Sequence, residues 1–222
     1  MNSTPDRDYT LGTDDRELAR LGYQADWQVL NACDFGVPQL RPRFILVALR
    51  PDAFRHFRWP MPDGQPPTVG ESLLDLMGAD SWPGAAAWAE RASGIGPTLV
   101  GGSRKHGGPD LGPTRAREAW LRLGVDGKGL ADAPPGPAHP FDHVPRLTLP
   151  MAAAIQGFPA DWRFSGRKTA GYRQIGNAFP PPVAKAVGGS IRMALAVAAA
   201  ERAAAELAAA GLAGPERWLR AV

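Results

Sequence analysis

The order of apolar and polar positions along the chain predicts strands and helices separated by many turns. Residues 14–21 begin with acidic side chains and end before Gly22, as a short helix does. Residues 27–31 and 44–49 have the composition of β-strands. The second run is apolar throughout, which is typical of a strand buried on both faces. The pattern therefore predicts a chain that contains both helices and strands.

Beyond residue 50 the pattern predicts helices rather than strands. Helices are predicted over residues 71–77, 115–123 and 147–155, the last with Thr148 as its cap. An alanine-rich run predicts a long final helix that starts near Pro181. Prolines recur over residues 51–67 and glycines punctuate residues 157–176, so regular structure is not expected in either segment.

Composition narrows the class of protein. Hydrophobic residues make up 44% and charged residues 21% of the 222 residues, the profile of one soluble domain with or without a small satellite. This profile excludes wholesale disorder. The net charge of +3 is too small to argue for a polyanionic partner, although ten basic and only five acidic residues follow residue 140.

Cysteine content and hydropathy together predict a cytoplasmic location without membrane insertion. The single cysteine, Cys33, rules out an intrachain disulfide and argues against a cysteine-based zinc site. Residues 1–21 are too polar for a secretory signal. Residues 183–212 form the longest apolar region, but charged side chains interrupt it too often for a membrane span.

An arginine pair is the first candidate for chemistry. Arg41 and Arg43 flank Pro42, and in an extended segment residues at i and i+2 point to the same face. With Gln39 one step earlier on that face, they would suit a planar polar ligand such as a base edge or a phosphate. The alternative is a pair of solvated arginines at a sheet edge.

The second candidate is the segment around Gly176 and Asn177. A glycine permits close backbone approach, and the asparagine offers donors and an acceptor just before a helix that begins with prolines. The free N–H groups at that helix start would attract an anion such as a carboxylate. Alternatively, Asn177 only caps the helix.

The third candidate is a glycine-rich basic loop over residues 101–108. It contains Arg104 and Lys105, and Arg115 and Arg117 follow it closely, a combination that suits nucleic-acid contact. His139 and His143 have only half of a zinc-finger spacing, so no metal site is predicted.

Three segments form a set when they are taken in order along the chain. Residues 31–43 contain Gln-x-Arg-x-Arg, Arg146-Leu147-Thr148 precedes Gln156-Gly157-Phe158-Pro159, and residues 172–178 contain Gly176-Asn177-Ala178. Together they resemble the C-terminal motifs of DNA (cytosine-5) methyltransferases over about residues 18–198. The resemblance implies the C-terminal portion of an α/β, Rossmann-like, S-adenosylmethionine-dependent enzyme with an irregular target-recognition region.

The resemblance also implies a division of the chain into three segments. Residues 1–57 would be the end of the catalytic domain, with the arginine motif and its strand. Residues 58–140 would be the target-recognition region. Residues 141–222 would hold the recognition-support motif, the cofactor-pocket motif and the closing helix.

Roles follow from the resemblance residue by residue. Arg41 and Arg43 would help to hold the flipped cytosine and the catalytic elements around it, and Gln39 would shape that segment. Asn177 and Ala178 would line the S-adenosylmethionine pocket.

Double-stranded DNA is the implied partner, and residues throughout the middle of the chain would contact it. Arg146 would support the recognition region. The DNA-contacting residues would then be Arg104, Lys105, Arg115, Arg117 and Arg146.

The chain departs from the family pattern at three points. The Pro-Cys dipeptide that carries the nucleophile, the Phe-x-Gly-x-Gly cofactor motif and the Glu-Asn-Val motif do not occur. Cys33 is not preceded by proline, so the nucleophile role is not carried over to it, and activity of this chain alone is not expected.

Three hypotheses follow from these departures. The chain is the C-terminal half of a split methyltransferase whose other half a second chain supplies, a DNA-binding remnant without catalysis, or a non-functional fragment. A split enzyme would bury residues 44–49 and the final helix against its partner. Restriction-linked and solitary modification both stay open.

Overall fold

The computed structural model describes residues 11–62, 65–101 and 110–211. Within these ranges the strands are β1 (Gln24–Asn31), β2 (Gln39–Leu40), β3 (Pro42–Leu49) and β4 (Gly96–Pro97). The helices are α1 (Leu11–Arg20), α2 (Pro51–Phe54), α3 (Val69–Met77), α4 (Ala85–Arg91), α5 (Thr114–Arg122), α6 (Leu149–Gln156), α7 (Lys168–Asn177) and α8 (Pro181–Ala209). A 3-10 turn over Ala32–Phe35 follows β1. The predicted mixture of helices and strands is confirmed.

The strands of the described residues form two small sheets. β1 pairs with β3, and β2 pairs in parallel with β4 in the register Gln39 to Gly96 and Leu40 to Pro97. The prediction that the 44–49 run is buried on both faces is wrong, because Phe44 is 54% exposed. β3 has β1 as its one strand neighbour in the described part of the chain, so its other edge has no strand partner there. The exposed Phe44 side chain leaves one face of the strand partly uncovered.

Contacts divide the chain into two compact units. The first contains the chain up to Gln28, Phe44–Pro60 and the residues from Ala186 onward. The second contains Val29–Arg43 and Met61–Lys185. This grouping follows contacts in space, whereas the three-segment division of the chain is a prediction about function.

Aromatic contacts and ion pairs hold the first unit together. The ring of Trp27 lies 5.0 Å from that of Phe44, centroid to centroid, and Trp59 donates to the Asp26 carboxylate at 2.9 Å. Glu201 of α8 accepts from Arg55 and from His56, the latter at 3.0 Å. The next residue of α8, Arg202, donates to Asp52.

Helices build the core of the second unit. Two of its largest fully buried side chains are Trp88 on α4 and Trp120 on α5, and the Trp88 indole donates to the Gly124 carbonyl at 2.8 Å. Leu73 of α3, Met151 and Ile155 of α6 and residues of α7 complete the buried cluster. This core supports the segments that carry the candidate site.

Helix starts follow the sequence closely where a cap residue is present. Thr68 and Glu71 form a capping box at α3: the Thr68 hydroxyl accepts from the Glu71 N–H at 3.1 Å, and the Glu71 carboxylate accepts from the Thr68 N–H at 2.7 Å. Thr148 caps α6 as predicted, with its hydroxyl accepting from the Met151 N–H at 3.4 Å. These bonds supply partners for N–H groups that a helix start leaves unpaired.

Two expectations about secondary structure are wrong, and one helix was not predicted. The 51–67 segment contains α2, because Pro51 stands in the first helical turn, where its missing N–H costs nothing. The 157–176 segment contains most of α7, in spite of Gly171 and Gly176. α4 was not predicted, although its alanines favour a helix, and packing against α3 supports it.

The last helix is long and apolar. By length and composition alone α8 would be able to cross a membrane, although residues 183–212 are predicted above to be too charged for that. One such helix is weak evidence, since core helices of soluble proteins pass the same test. The ion pairs of Glu201 and Arg202 tie its later turns to the first unit.

Two helical glycines predict opposite effects of the same substitution. A Cβ on Gly70 of α3 would collide with the Ala89 carbonyl of α4, whereas a Cβ on Gly188 of α8 would meet nothing within 4 Å. We expect Gly70→Ala to lower the free energy of unfolding by about 2 kcal/mol or more through overpacking. Gly188→Ala should raise it by about 0.5–1 kcal/mol, the ordinary helix-propensity gain.

Urea unfolding followed by circular dichroism measures both effects. Because Gly188 has open space around its α-carbon, the difference between the two substitutions reports mainly the close approach of α3 and α4. A neutral Gly70→Ala would contradict this packing.

Candidate functional site

The Arg41 guanidinium is the centre of the candidate site. Arg41 lies between β2 and β3 and is only 1% exposed. Its Nη1 donates to the Leu99 carbonyl at 2.6 Å, and its Nη2 donates to the carbonyls of Gly176 at 2.6 Å and Ala178 at 3.1 Å. One side chain thus joins the β2–β3 junction, the segment after β4 and the end of α7.

Two glutamines extend this network. The Gln39 carbonyl oxygen accepts from the Leu99 N–H at 2.8 Å and from Arg41 Nη1 at 3.3 Å. Its amide nitrogen donates to the Ile155 carbonyl at 3.2 Å and to Gln156 Oε1 at 2.8 Å. Gln156 Nε2 then donates to the Ala178 carbonyl at 2.7 Å. All four hydrogen-bonding positions of the buried Gln39 amide are therefore used.

The backbone around Arg41 is fixed on both sides. The Arg41 N–H donates to the Asn31 side-chain oxygen at 2.9 Å, and the Arg41 carbonyl accepts from the Ala32 N–H at 3.1 Å. Gly36 ends the 3-10 turn with a φ of 75°, a left-handed conformation that favours glycine. Pairing of Gln39 with Gly96 then brings residue 99 to the guanidinium.

Burial makes Arg41 an unusual cation. Its hydrogen-bond acceptors are carbonyl and amide oxygens, and its Nε has no partner among the described residues. Burial, and to a smaller extent the charge of Arg43, lowers the pKa of Arg41 to about 10. The guanidinium is still protonated at neutral pH. Burial also raises the pKa of the neighbouring Tyr172 well above its ordinary value.

Arg43 differs from Arg41 in accessibility. Its side chain is half-buried, and its Nη1 donates to the adjacent Pro42 carbonyl at 2.8 Å. Partial burial lowers the pKa of Arg43. Of the two arginines, Arg43 is the one whose guanidinium can reach a molecule outside the chain. The idea that both are solvated at a sheet edge does not hold for Arg41.

The predicted cofactor residues lie at the other end of the network. Asn177 is the last residue of α7 rather than part of a loop, and it is exposed. A Cβ on Gly101 would lie 2.7 Å from the Cγ of Asn177, so the backbone of residue 101 approaches the Asn177 side chain too closely for residue 101 to carry a side chain. The Ala178 carbonyl is bound by both Arg41 and Gln156. The network therefore holds this segment by its backbone and leaves the Asn177 amide at the surface.

The predicted DNA-contacting residues form a separate group. Arg104 and Lys105 lie outside the described residues. Arg115 is exposed on α5, and Arg117 on the same helix approaches the Asp110 carboxylate at 3.9 Å. Arg146 is exposed and pairs with Asp126 at 2.8 Å. None of these three contacts the Arg41 network in the described part of the chain.

Local sequence analysis missed the structural importance of Gln156. The available signal was a single polar residue at the end of the otherwise apolar helix α6, and that residue is fully buried. A buried amide needs hydrogen-bond partners. Its partners Gln39 and Ala178 are distant in sequence, so the pattern alone did not identify them.

Comparison with known proteins identifies the family. The model of the C-5 cytosine-specific DNA methylase family matches residues 3–98 and 119–193. The chain therefore belongs to this family, and the resemblance drawn from its motifs is confirmed. Its fold class is the α/β class of Rossmann-like, S-adenosylmethionine-dependent methyltransferases.

Individual relatives are type II methyltransferases. M.NaeI of Lentzea aerocolonigenes is 61% identical over 179 residues, covering 80% of this chain and 43% of that relative. M.NgoMIV of Neisseria gonorrhoeae is 46% identical, covering 81% of this chain and 57% of the relative. M.XorII of Xanthomonas oryzae pv. oryzae is 31% identical, covering 77% and 50%. The chain spans about half the length of the curated relatives it matches.

The two arginines should differ sharply in their effect on stability. Arg41→Ala removes this donor from the carbonyls of Leu99 and Gly176 and leaves the Ala178 carbonyl with Gln156 alone. We expect the free energy of unfolding to fall by about 3 kcal/mol or more. Arg43→Ala, the matched control, should change it by less than about 0.5 kcal/mol. Equal losses in urea unfolding would contradict the central position of Arg41.

Proposed function

We propose that this chain supplies the C-terminal half of a DNA (cytosine-5) methyltransferase, which transfers a methyl group from S-adenosylmethionine to carbon 5 of cytosine in DNA. The observation that carries the proposal is the Arg41 network. It ties the arginine motif, the Gln156 motif and the Gly176–Ala178 motif together, while the Arg43 and Asn177 side chains stay accessible.

On the base side, Arg43 is the residue proposed to touch the substrate. A cytosine must leave the DNA stack before its ring can be attacked, and an enzyme grips the extruded base by hydrogen bonds to its polar edge. Arg43 has donors for that purpose. Arg41 and Gln39 act as positioning residues, because both are buried and bound to protein oxygens.

On the cofactor side, Asn177 is the residue proposed to bind the amino-acid end of S-adenosylmethionine. The family uses S-adenosylmethionine, whose amino-acid end carries a carboxylate and an ammonium group. The exposed Asn177 amide has both donors and an acceptor to offer such a pair. The Gly101 backbone, which leaves no space for a side chain, and the double-anchored Ala178 carbonyl keep that amide in place.

The nucleophile would come from elsewhere. Cys33 is buried, and burial, reinforced by the neighbouring Asp34, raises the pKa of its thiol. A protonated, buried thiol is a poor nucleophile. A second chain or segment that carries the Pro-Cys dipeptide would therefore provide the attacking thiolate, and the uncovered face of β3 is a candidate contact for it.

DNA contact is assigned to the basic residues of the middle region. Arg115, Arg117 and Arg146 are proposed to bind DNA together with Arg104 and Lys105. The type II relatives favour a restriction-modification context and a cytoplasmic location. The unreactive Cys33 favours one alternative, in which the chain binds DNA as a non-catalytic remnant.

Methyl transfer tests the split-enzyme proposal. Labelled S-adenosylmethionine and mixed-sequence DNA are incubated with this chain, with a chain carrying the Pro-Cys half, or with both. We expect labelled DNA only in the mixture, and none when the Pro-Cys cysteine is changed to serine. Activity of this chain alone, or no activity in the mixture, would contradict the proposal, and the second result would favour the remnant.

In an active mixture, Arg43→Ala separates catalysis from binding. Since Arg43 is proposed to touch the extruded base, methyl transfer should fall about a hundredfold, by analogy with the loss of one charge-stabilising donor. Affinity for DNA should change less than threefold, because most of it comes from phosphate contacts elsewhere. Equal losses of transfer and affinity would reject the assignment.

A further inference from the structure

A second polar site lies in the second unit, outside the Arg41 network. The Asp126–Arg146 pair stands between two open surface cavities of about 430 and 420 Å³. Both cavities include Asp126 and Val144 in their walls. The two cavities therefore share a wall formed by Asp126 and Val144, and Arg146 lines the larger cavity.

Hydrogen bonds to the backbone hold Asp126 in a fixed position. Its N–H donates to the Pro145 carbonyl at 2.9 Å, and its Oδ1 accepts from the Lys128 N–H at 3.0 Å. Burial raises the pKa of Asp126, but hydrogen bonds from Arg146 and Lys128 outweigh it and lower the pKa. The carboxylate therefore stays ionised near neutral pH and holds a fixed orientation.

The carboxylate binds only one edge of Arg146. Asp126 Oδ2 accepts from Arg146 Nε at 2.8 Å, and the Arg146 side chain is 47% exposed. The two terminal nitrogens make no hydrogen bond within the described residues. An exposed ion pair of this kind adds little to stability. The pair instead holds the planar Arg146 guanidinium in one orientation and leaves its two terminal nitrogens open to a ligand.

The histidines of the neighbouring wall add hydrogen-bonding groups. His139 and His143 line the larger cavity, with ring centroids 4.7 Å apart. The Gly136 N–H donates to His139 Nδ1 at 3.0 Å. Burial, and to a smaller extent His139, lowers the pKa of His143. This wall therefore offers imidazole nitrogens beside the Arg146 guanidinium.

These features suit a base edge better than a phosphate. The outer edge of a fixed guanidinium matches the O6 and N7 acceptors of guanine in the major groove. A phosphate would meet the negative charge of Asp126 and of Glu118, which lines the smaller cavity. Lys128 and Arg117 are the basic residues of that same wall and can bind the flanking backbone.

We propose that Arg146 reads a guanine of the recognition sequence through its two terminal nitrogens, with Asp126 as the positioning residue that orients it. This inference rests on the proposed function and specifies a base that the recognition-support motif contacts. It gives Arg146 a role in sequence choice rather than in general DNA affinity.

Replacing guanine by 7-deazaguanine tests the inference, since it removes the N7 acceptor and leaves base pairing intact. Duplexes that bind this chain are first enriched from a random-sequence pool, and their affinities are measured with either base. Wild-type protein should lose affinity about tenfold on 7-deazaguanine DNA. Arg146→Lys keeps the charge but not the fork, so its affinity should be nearly equal for the two duplexes. Asp126→Asn should reduce the discrimination to about threefold or less.

Arg122→Lys is the matched control, because Arg122 is an exposed arginine at the end of α5. It should keep the full tenfold discrimination, and circular dichroism should show all variants folded. Sequence enrichment without a 7-deazaguanine effect, or an effect that survives Arg146→Lys, would overturn the inference alone. Absence of any enrichment, together with no methyl transfer in the mixture, would overturn the proposed function as well.

Discussion

The second unit depends on the need of one buried cation for hydrogen-bond acceptors. A charged guanidinium is costly to remove from water unless hydrogen bonds replace those it made to water. Arg41 is almost completely buried, and backbone carbonyls of Leu99, Gly176 and Ala178 accept hydrogen bonds from its two terminal nitrogens. The backbone at each of these carbonyls must therefore lie within hydrogen-bonding distance of the guanidinium. The end of α7 and the chain after β4 are positioned by this requirement.

This arrangement separates positioning from chemistry within one short motif. Arg41 and Gln39 are bound to the protein itself, whereas Arg43, two residues away, keeps an accessible guanidinium. The same network anchors residue 178 and leaves Asn177 exposed. A substrate base and a cofactor would then meet groups held by one shared set of hydrogen bonds. A substitution at Gln156 would therefore disturb both the Gln39–Arg41 segment and the Asn177–Ala178 segment.

The split-enzyme proposal is consistent with three features of the chain. It spans about half the length of its type II relatives, and its one thiol is buried and protonated. Phe44 lies exposed in the apolar run of β3, and β3 has a single strand neighbour in the described residues. Apolar strands of this kind are normally covered by neighbouring elements.

The sequence alone determined the family, the α/β class and the helices with strong local signals, such as α6 with its Thr148 cap. It also identified the motif that contains both arginines. Tertiary structure decided the rest. α7 forms despite Gly171 and Gly176, because Leu149 packs against the first and the Gly101 backbone against the second. It also decided that Arg41 is buried while Arg43 is accessible, since their different surroundings come from segments far away in sequence. Local pattern reports propensity and periodicity, but burial and hydrogen-bond partners depend on which distant segments meet.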